Sequence, residues 1–290
     1  IKTPPLSINA NYFAEEVRRE LWTQLKGQDI TKAGFNIFTT LDPTLQDLSN
    51  TSLREGLANL NNDGAEPGLT GAVVVMEAET GRVLALNGGL DYGQNQFNCA
   101  TQAKRQPGSL FKPIAYLAAL EKGYTPDTII HDSPLQISLG RGRGFYKPRN
   151  YTRKYYGPSP LKMGIEKSRN VMTIRLAQQI GMNAIQEMAA RLGLNDQLPN
   201  QLAMALGAGE TTLLRLTTAY SMIVNGGKRV KPTFLYKVDN HLGSTVYQSS
   251  EPTLETVINA SYAEIMTDML RGVVQRGTAQ RLKYLTENYS

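Results

Sequence analysis

Two periodicities alternate along the chain. Phe13, Val17 and Leu21 repeat every four residues and predict a helix over 11–21. Phe35-Asn36-Ile37-Phe38-Thr39-Thr40-Leu41 alternates as a strand does, and Asp42-Pro43 then signals a helix start, with a capping carboxylate and a proline in the first position. Leu45, Leu48, Leu53, Leu57 and Leu60 give that helix an apolar stripe, which Asn61-Asn62-Asp63-Gly64 ends. Ala72–Met76 and Arg82–Leu86 read as the two strands of a hairpin turning at Glu79-Thr80-Gly81. A polar approach to Gln106 follows. The apolar run from Leu110 to Leu120 then predicts a helix opened by Pro107-Gly108 and closed by Gly123 and Pro126.

The pattern weakens over 131–160, which is rich in Gly, Pro, Tyr and cations and is expected to be largely irregular. Ser159 and Pro160 predict the start of a helix through Leu161, Met163 and Ile165 to Lys167. Ser168-Arg169-Asn170 breaks it, and a new apolar helix opens at Val171. Glu166, just before the break, is expected on a helix surface with no catalytic role. Residues 175–225 read as helical and core-forming, with stops at Gly181 and Gly193. Val230–Val238 and Ser244–Tyr247 flank His241-Leu242-Gly243 as a hairpin, and Ala260–Val274 is an amphipathic helix with Ile265, Met269 and Val273 on one face. The organisation expected is a connecting module over 1–65 and one large domain over 66–290.

Composition narrows the function classes. With 41% hydrophobic and 19% charged residues, the chain is that of an ordinary folded protein. No apolar run is long enough to cross a bilayer. The single cysteine, Cys99, excludes an internal disulfide and a cysteine-based zinc site, and the two histidines, His131 and His241, lie in unrelated contexts. No cysteine- or histidine-based metal centre is therefore expected. The excess of 31 basic over 25 acidic residues suits work beside an anionic polymer or membrane. Arg141, Arg143, Lys147, Arg149, Arg153 and Lys154, interleaved with Tyr146, Tyr151, Tyr155 and Tyr156, could be read as a single-strand nucleic-acid platform. No nucleic-acid motif accompanies them, so a solvated rim loop that contacts substrate is the reading taken.

Chemistry concentrates at Ser109. It falls at a helix start, where free backbone N–H groups favour a developing anion. Lys112 is three residues on, on the same face, so its amine can approach the Ser109 hydroxyl. A desolvated neutral lysine is one means of activating a serine nucleophile. The same two residues also suit an incidental serine with a snorkelling lysine, and alone they do not decide between the two.

The wider stretch, Phe97-Asn98-Cys99-Ala100-Thr101 and then Arg105-Gln106-Pro107-Gly108-Ser109-Leu110-Phe111-Lys112-Pro113, closely resembles the active-site segment of class A penicillin-binding proteins. Glu166-Lys167-Ser168-Arg169-Asn170-Val171-Met172-Thr173 matches their second motif, Ser-x-Asn, and the resemblance covers nearly the whole chain. Thr39-Thr40-Leu41-Asp42-Pro43-Thr44-Leu45-Gln46 looks like the junction between glycosyltransferase and transpeptidase domains, and Ala205–Thr212 and Thr218–Gly227 match stretches that shape the cleft wall.

The resemblance implies a mixed α/β serine-transpeptidase (β-lactamase-like) fold, a central antiparallel sheet flanked by helices. It implies D,D-transpeptidation of peptidoglycan stem peptides ending in D-Ala-D-Ala, with no metal or cofactor and with β-lactams as trapping ligands. Ser109 would be the nucleophile, Lys112 the base, Ser168 a proton relay to the leaving amine and Asn170 a substrate-binding amide. Rivals are a D,D-carboxypeptidase or β-lactamase of the same superfamily, and a non-enzymatic peptidoglycan-binding scaffold.

The family's third motif, Lys-Thr-Gly or Lys-Ser-Gly, does not follow Gly277-Thr278-Ala279, and the nearest triplet, Lys32-Ala33-Gly34, lies in the connecting module. The expectation is a chain truncated before that strand. A glycosyltransferase domain and a membrane anchor are expected outside it, with the enzyme domain on the extracytoplasmic face of the membrane and other cell-wall synthesis proteins as possible partners.

Overall fold

The computed structural model describes residues 8–25, 34–62, 68–138, 140, 144–195, 197–249 and 255–288. In chain order these hold helix α1 (Asn11–Gln24), strand β1 (Asn36–Thr39), α2 (Pro43–Asn62), β2 (Val73–Met76) and β3 (Val83–Asn87). A 3₁₀ turn, Gly108–Phe111, then runs straight into α3 (Lys112–Glu121). The short strands β4 (Ile129–Asp132), β5 (Ile137–Ser138), β6 (Phe145–Tyr146) and β7 (Gly157–Pro160) precede α4 (Lys162–Glu166), α5 (Asn170–Ile180) and α6 (Met182–Arg191). After the 3₁₀ turn Leu202–Leu206 come α7 (Leu213–Val224), β8 (Leu235–Asp239), β9 (Thr245–Gln248), α8 (Ala260–Gln275), a last 3₁₀ turn (Gln280–Leu282) and α9 (Lys283–Asn288). None of the described helices is long and apolar enough to cross a membrane.

The chain forms two compact units, each discontinuous in sequence. One comprises Ile1–Lys104, Thr212–Met222 and Lys228–Glu255; the other comprises Arg105–Thr211, Ile223–Gly227 and Thr256–Ser290.

In the first unit β8 lies between β1 and β9, all antiparallel, and β2 pairs antiparallel with β3. The two sheets meet where Val83 N–H donates to the Thr233 carbonyl at 2.9 Å. The predicted stripe of α1 is the face that packs on them: Phe13, Val17 and Leu21 are buried with Val83, Leu86, Phe234, Leu235 and Val238. Asp42 caps α2 as expected, accepting from Thr44 N at 2.8 Å and Leu45 N at 3.0 Å. The α2 stripe is narrower than predicted, because Leu48 and Leu60 are exposed. The helix instead buries Gln46 and Ser49. The Gln46 amide takes Leu86 N–H at 3.0 Å and donates to Leu86 C=O at 3.3 Å, standing in for a neighbouring strand along β3. The close of α2 at Asp63-Gly64 lies outside the described residues.

The second unit is built around α3, buried from Lys112 to Leu120 on every side. A helix with no polar face has to be central, and α5, α6 and α8 pack against it. Ile114, Leu117 and Leu120 are buried, as are Ile174 and Leu176 on α5, Ile185 on α6 and Met266 on α8. On α8 the buried positions are Ala263, Met266, Met269 and Gly272, with predicted Ile265 and Val273 only half-buried beside them.

Three predictions about this half need correction. Residues 131–160 are not simply irregular: β4 pairs with β7 and β5 with β6, in ladders too short to show alternation. Ser159 and Pro160 do not start a helix. They pair with Ile130 and Ile129 in β7, and α4 begins at Lys162, because long-range strand pairing overrides a local start signal. Residues 193–195 and 197–212 are not α-helical; among them lies one 3₁₀ turn.

Candidate active site

The chain enters α3 through the 3₁₀ turn that carries Ser109. Pro107 and Gly108 set the entry, and Gly108 takes φ +58°, a left-handed conformation glycine adopts without a Cβ penalty. A second strand of chain braces this turn. Arg105 and Thr211 exchange both backbone hydrogen bonds, at 2.9 and 3.0 Å, and Gly108 N–H donates to the Gly207 carbonyl at 3.2 Å. A Cβ on Gly207 would stand 2.1 Å from the Gly108 carbonyl oxygen, so only glycine allows this approach. The matched Ala205–Thr212 stretch thus supports the serine loop directly. Ser109 itself is exposed, while Lys112, one turn on, is 2% exposed.

Opposite lies the corner between α4 and α5. Ser168 turns it with φ +52°, in the left-handed region that costs a non-glycine residue on the order of 1 kcal/mol. Lys112 Nζ donates to the Ser168 carbonyl at 2.7 Å, to Ser168 Oγ at 2.9 Å and to Asn170 Oδ1 at 2.8 Å. Ser168 Oγ lies 3.0 Å from Ser109 Oγ and hydrogen-bonds to it. All four residues singled out in the sequence meet here. Lys112 makes no hydrogen bond to Ser109; the hydroxyl of Ser168 is bonded to both.

The acceptors around Lys112 Nζ are dipoles, none of them a carboxylate. Burial therefore decides, and it lowers the Lys112 amine from its ordinary value to about 8. Near neutrality about a tenth of the molecules hold the amine neutral. In that form the hydrogen bonds can reverse, so that Ser109 donates to Ser168 and Ser168 to the lysine nitrogen.

The corner is held from beneath by polar groups that sequence reading missed. Asn170 Nδ2 donates to the Arg149 carbonyl at 3.1 Å. Asn150, buried, accepts from Val171 N–H at 3.1 Å and donates to both oxygens of Asp132, at 2.8 and 3.0 Å. Asp132 is fully buried and lies 3.8 Å from Arg169 Nε. Arg169 also donates to Ser159 Oγ at 2.7 Å and stacks over Tyr156 at 4.2 Å. A cleft of about 350 Å³ opens beside Ser168, lined by Tyr151, Thr152, Tyr156, Lys167 and Thr278 among others. The expected rim loop is thus one wall of a cleft at the serine corner; its Arg141 and Arg143 lie outside the described residues.

Glu166 is the other correction. It is not a surface residue: it is fully buried, and its carboxylate is paired with the Arg276 guanidinium at 2.5 and 2.9 Å. No local signal in the sequence joins these two residues. Among the described residues no group of histidine, cysteine or carboxylate side chains could hold a metal ion.

Residues 71–289 match the penicillin-binding protein transpeptidase domain. Penicillin-binding protein 1A of Rickettsia bellii is 39% identical over 241 residues, covering 76% of this chain and 30% of that protein. The Neisseria lactamica protein of the same name is 40% identical over 221 residues, covering 74% and 28%. The chain thus spans about 30% of the length of the curated relatives it matches. Among solved structures, penicillin-binding protein 1A of Haemophilus influenzae superposes with a TM-score of 0.89 at 21% identity, over 97% of this chain and 61% of that one. PonA1 of Mycobacterium tuberculosis, in complex with penicillin V, gives 0.79 at 24% identity over 91% and 71%. These two establish the fold, a mixed helix and antiparallel-sheet architecture as the sequence implied. A match to the transpeptidase domain over most of the chain, on that fold, places the chain in the penicillin-binding protein transpeptidase family.

Proposed function

We propose that this chain carries the acyl-transfer centre of a peptidoglycan D,D-transpeptidase. The observation that carries the reading is the line from buried Lys112 through Ser168 Oγ to exposed Ser109 Oγ. Neutral Lys112 draws the proton from Ser109 through the Ser168 hydroxyl. Ser109 attacks the penultimate D-Ala carbonyl of a stem pentapeptide, the tetrahedral intermediate collapses, and the terminal D-Ala amine leaves with the proton returned by Ser168. The acyl group then passes to an amine on a second stem, closing the cross-link. Asn170, whose Oδ1 accepts from Lys112 and whose Nδ2 donates one hydrogen to the Arg149 carbonyl, holds the relay and keeps its second Nδ2 hydrogen for the bound peptide. A β-lactam, which resembles the D-Ala-D-Ala end, would stop at the acyl-enzyme.

The cationic rim of Lys147, Arg149, Arg153 and Lys154 suits a substrate that carries carboxylates. Glu166 bears on the rival hydrolase reading. Its carboxylate is buried and engaged by Arg276, so it is not free to direct a water at an acyl-enzyme. A glycosyltransferase domain, a membrane anchor and an extracytoplasmic setting belong to this proposal, as does the division into a junction module over 1–65 and a transpeptidase domain over 66–290.

The test is mass spectrometry of the full-length protein after exposure to benzylpenicillin. The adduct is expected on the peptide carrying Ser109 and should vanish in Ser109→Ala. An adduct elsewhere, or undiminished labelling of Ser109→Ala, refutes the assignment. Rapid turnover of penicillin with no lasting adduct would instead favour the hydrolase.

A further inference from the structure

Glu166 ends α4 two residues before Ser168, and it is bound to the end of α8 in several ways at once. Its carboxylate oxygens take Arg276 Nη2 at 2.5 Å and Nε at 2.9 Å. Its backbone carbonyl accepts from Thr278 N–H at 3.0 Å. The adjoining Lys167 ammonium donates to the Arg276 carbonyl. The end of α8 is also cut away to admit the carboxylate. A Cβ at Gly272 would lie 2.5 Å from Glu166 Oε1, and one at Gly277 would lie 2.3 Å from the Glu166 carbonyl oxygen.

Stability is a poor explanation for such a pair. Glu166 is fully buried while the Arg276 side chain is half exposed, so desolvating the carboxylate offsets much of what its attraction to the guanidinium returns. A bidentate guanidinium–carboxylate fork does supply fixed geometry. That is what the neighbouring corner lacks, because Ser168 sits in a strained left-handed conformation that persists only where surrounding contacts over-determine it. Asn150 anchors the α5 side of the corner through Val171 N–H. Arg276 anchors the α4 side.

We propose that Arg276, through its fork on Glu166, is a positioning residue that keeps the Ser168 hydroxyl in line between Lys112 and Ser109. This rests on the acyl-transfer reading above and adds a residue more than a hundred positions from the relay it controls. Arg276 touches none of the reacting atoms and acts through Glu166.

The experiment uses the full-length protein and measures the acylation rate with fluorescent penicillin across pH, together with thermal melts. Arg276→Lys keeps the charge but cannot span both carboxylate oxygens. Gly272→Ala drives a methyl group against Glu166 Oε1. Both are expected to slow acylation on the order of 10- to 100-fold per folded molecule, the scale of a small misplacement of a reacting group. Both should also move the midpoint of the acylation–pH curve upward from about 8, because a displaced corner lets water reach the amine that burial now holds down. Arg191→Lys, which loosens the 2.6 Å pair with Glu121 at the end of α6, should change neither rate nor midpoint. Should Arg276→Lys not fold, Glu166→Gln keeps the shape, removes the buried charge and carries the same expectation.

Lower melting temperatures with unchanged rate and pH midpoint in the folded variants would reduce the fork to a structural contact and overturn the proposal. Failure of the wild-type protein to acylate at Ser109 would instead strike the reading of the site itself.

Discussion

The two halves of the site are held in opposite ways. The Ser109–Lys112 turn opens a helix buried on all sides in mostly apolar contacts, and past the left-handed Gly108 its backbone is right-handed helical. The Ser168–Asn170 corner is strained and rests on a polar scaffold of buried Asp132, Asn150, Arg169 and Glu166, the last held by the half-exposed Arg276. Apolar packing is tolerant, because many small contacts share the work and loss of one leaves the rest. A buried polar scaffold is not: remove one member and its partners are left unsatisfied. The nucleophile and base sit on the tolerant side, and the relay between them on the intolerant one.

The largest expected effect tests the base. Lys112→Met, neutral and of similar length, should fold and yet lose acylation by about 10³-fold or more, within the range attributed to general base catalysis. High pH should not restore it. Residual acylation near the wild-type rate would place the base elsewhere.

Next in size is the pH dependence of the wild-type rate. Burial lowers the Lys112 amine to about 8, and the neutral form is the base, so acylation should rise with pH and level off above that value. Between pH 6 and pH 9 the rise should be roughly 90-fold, from the neutral fraction alone. A flat profile over that range would contradict the assignment.

The comparison itself is sharpened by a pair of variants. Leu117→Ala, in the middle of α3, should cost about 2–5 kcal/mol in chemical denaturation while leaving the acylation rate of folded molecules unchanged. Asp132→Ala strands Asn150 and Arg169 and should cost about 3–5 kcal/mol. Unlike Leu117→Ala, it should also slow acylation of the molecules that remain folded. Equal effects on acylation would erase the distinction between the two sides.

The smallest expected effect is on the stability of Ser168→Gly. Glycine takes φ +52° without strain, so the variant should hold or gain up to about 1 kcal/mol. It loses the bridging hydroxyl, so acylation should fall. A variant that is both less stable and as active would show the strain and the relay to be misread.

The same contrast explains what could be read in advance. Apolar periodicity exposed α1, and local chemistry exposed the Asp42 cap. The spacing and context of Ser109, Lys112, Ser168 and Asn170 identified the residues that the fold brings together. The polar scaffold stayed hidden because its members come from distant segments and no short-range pattern ties them. Glu166 looked like a surface residue because its partner is Arg276, far along the chain. Residues 131–160 looked irregular because strands of two to four residues leave no alternation to detect. Ser159-Pro160 imitated a helix start while pairing with Ile130 and Ile129. That Ser168 bridges Lys112 and Ser109, in place of a direct hydrogen bond, depends on a backbone angle no local signal announces.

The Gln46 amide that pairs with Leu86 has a consequence for how this molecule could aggregate. Beside it, Asp42 N–H occupies the Leu84 carbonyl at 2.8 Å and Cys99 N–H occupies the Gly88 carbonyl at 2.9 Å. The outer margin of β3, an apolar strand, is therefore closed to an incoming chain by one helix and two loop residues. Such a margin left bare is a template for strand addition. Loosening α2 would uncover it before the sheet itself came apart, so the first symptom of damage at Gln46 should be self-association that grows with protein concentration, in molecules whose sheet is still intact.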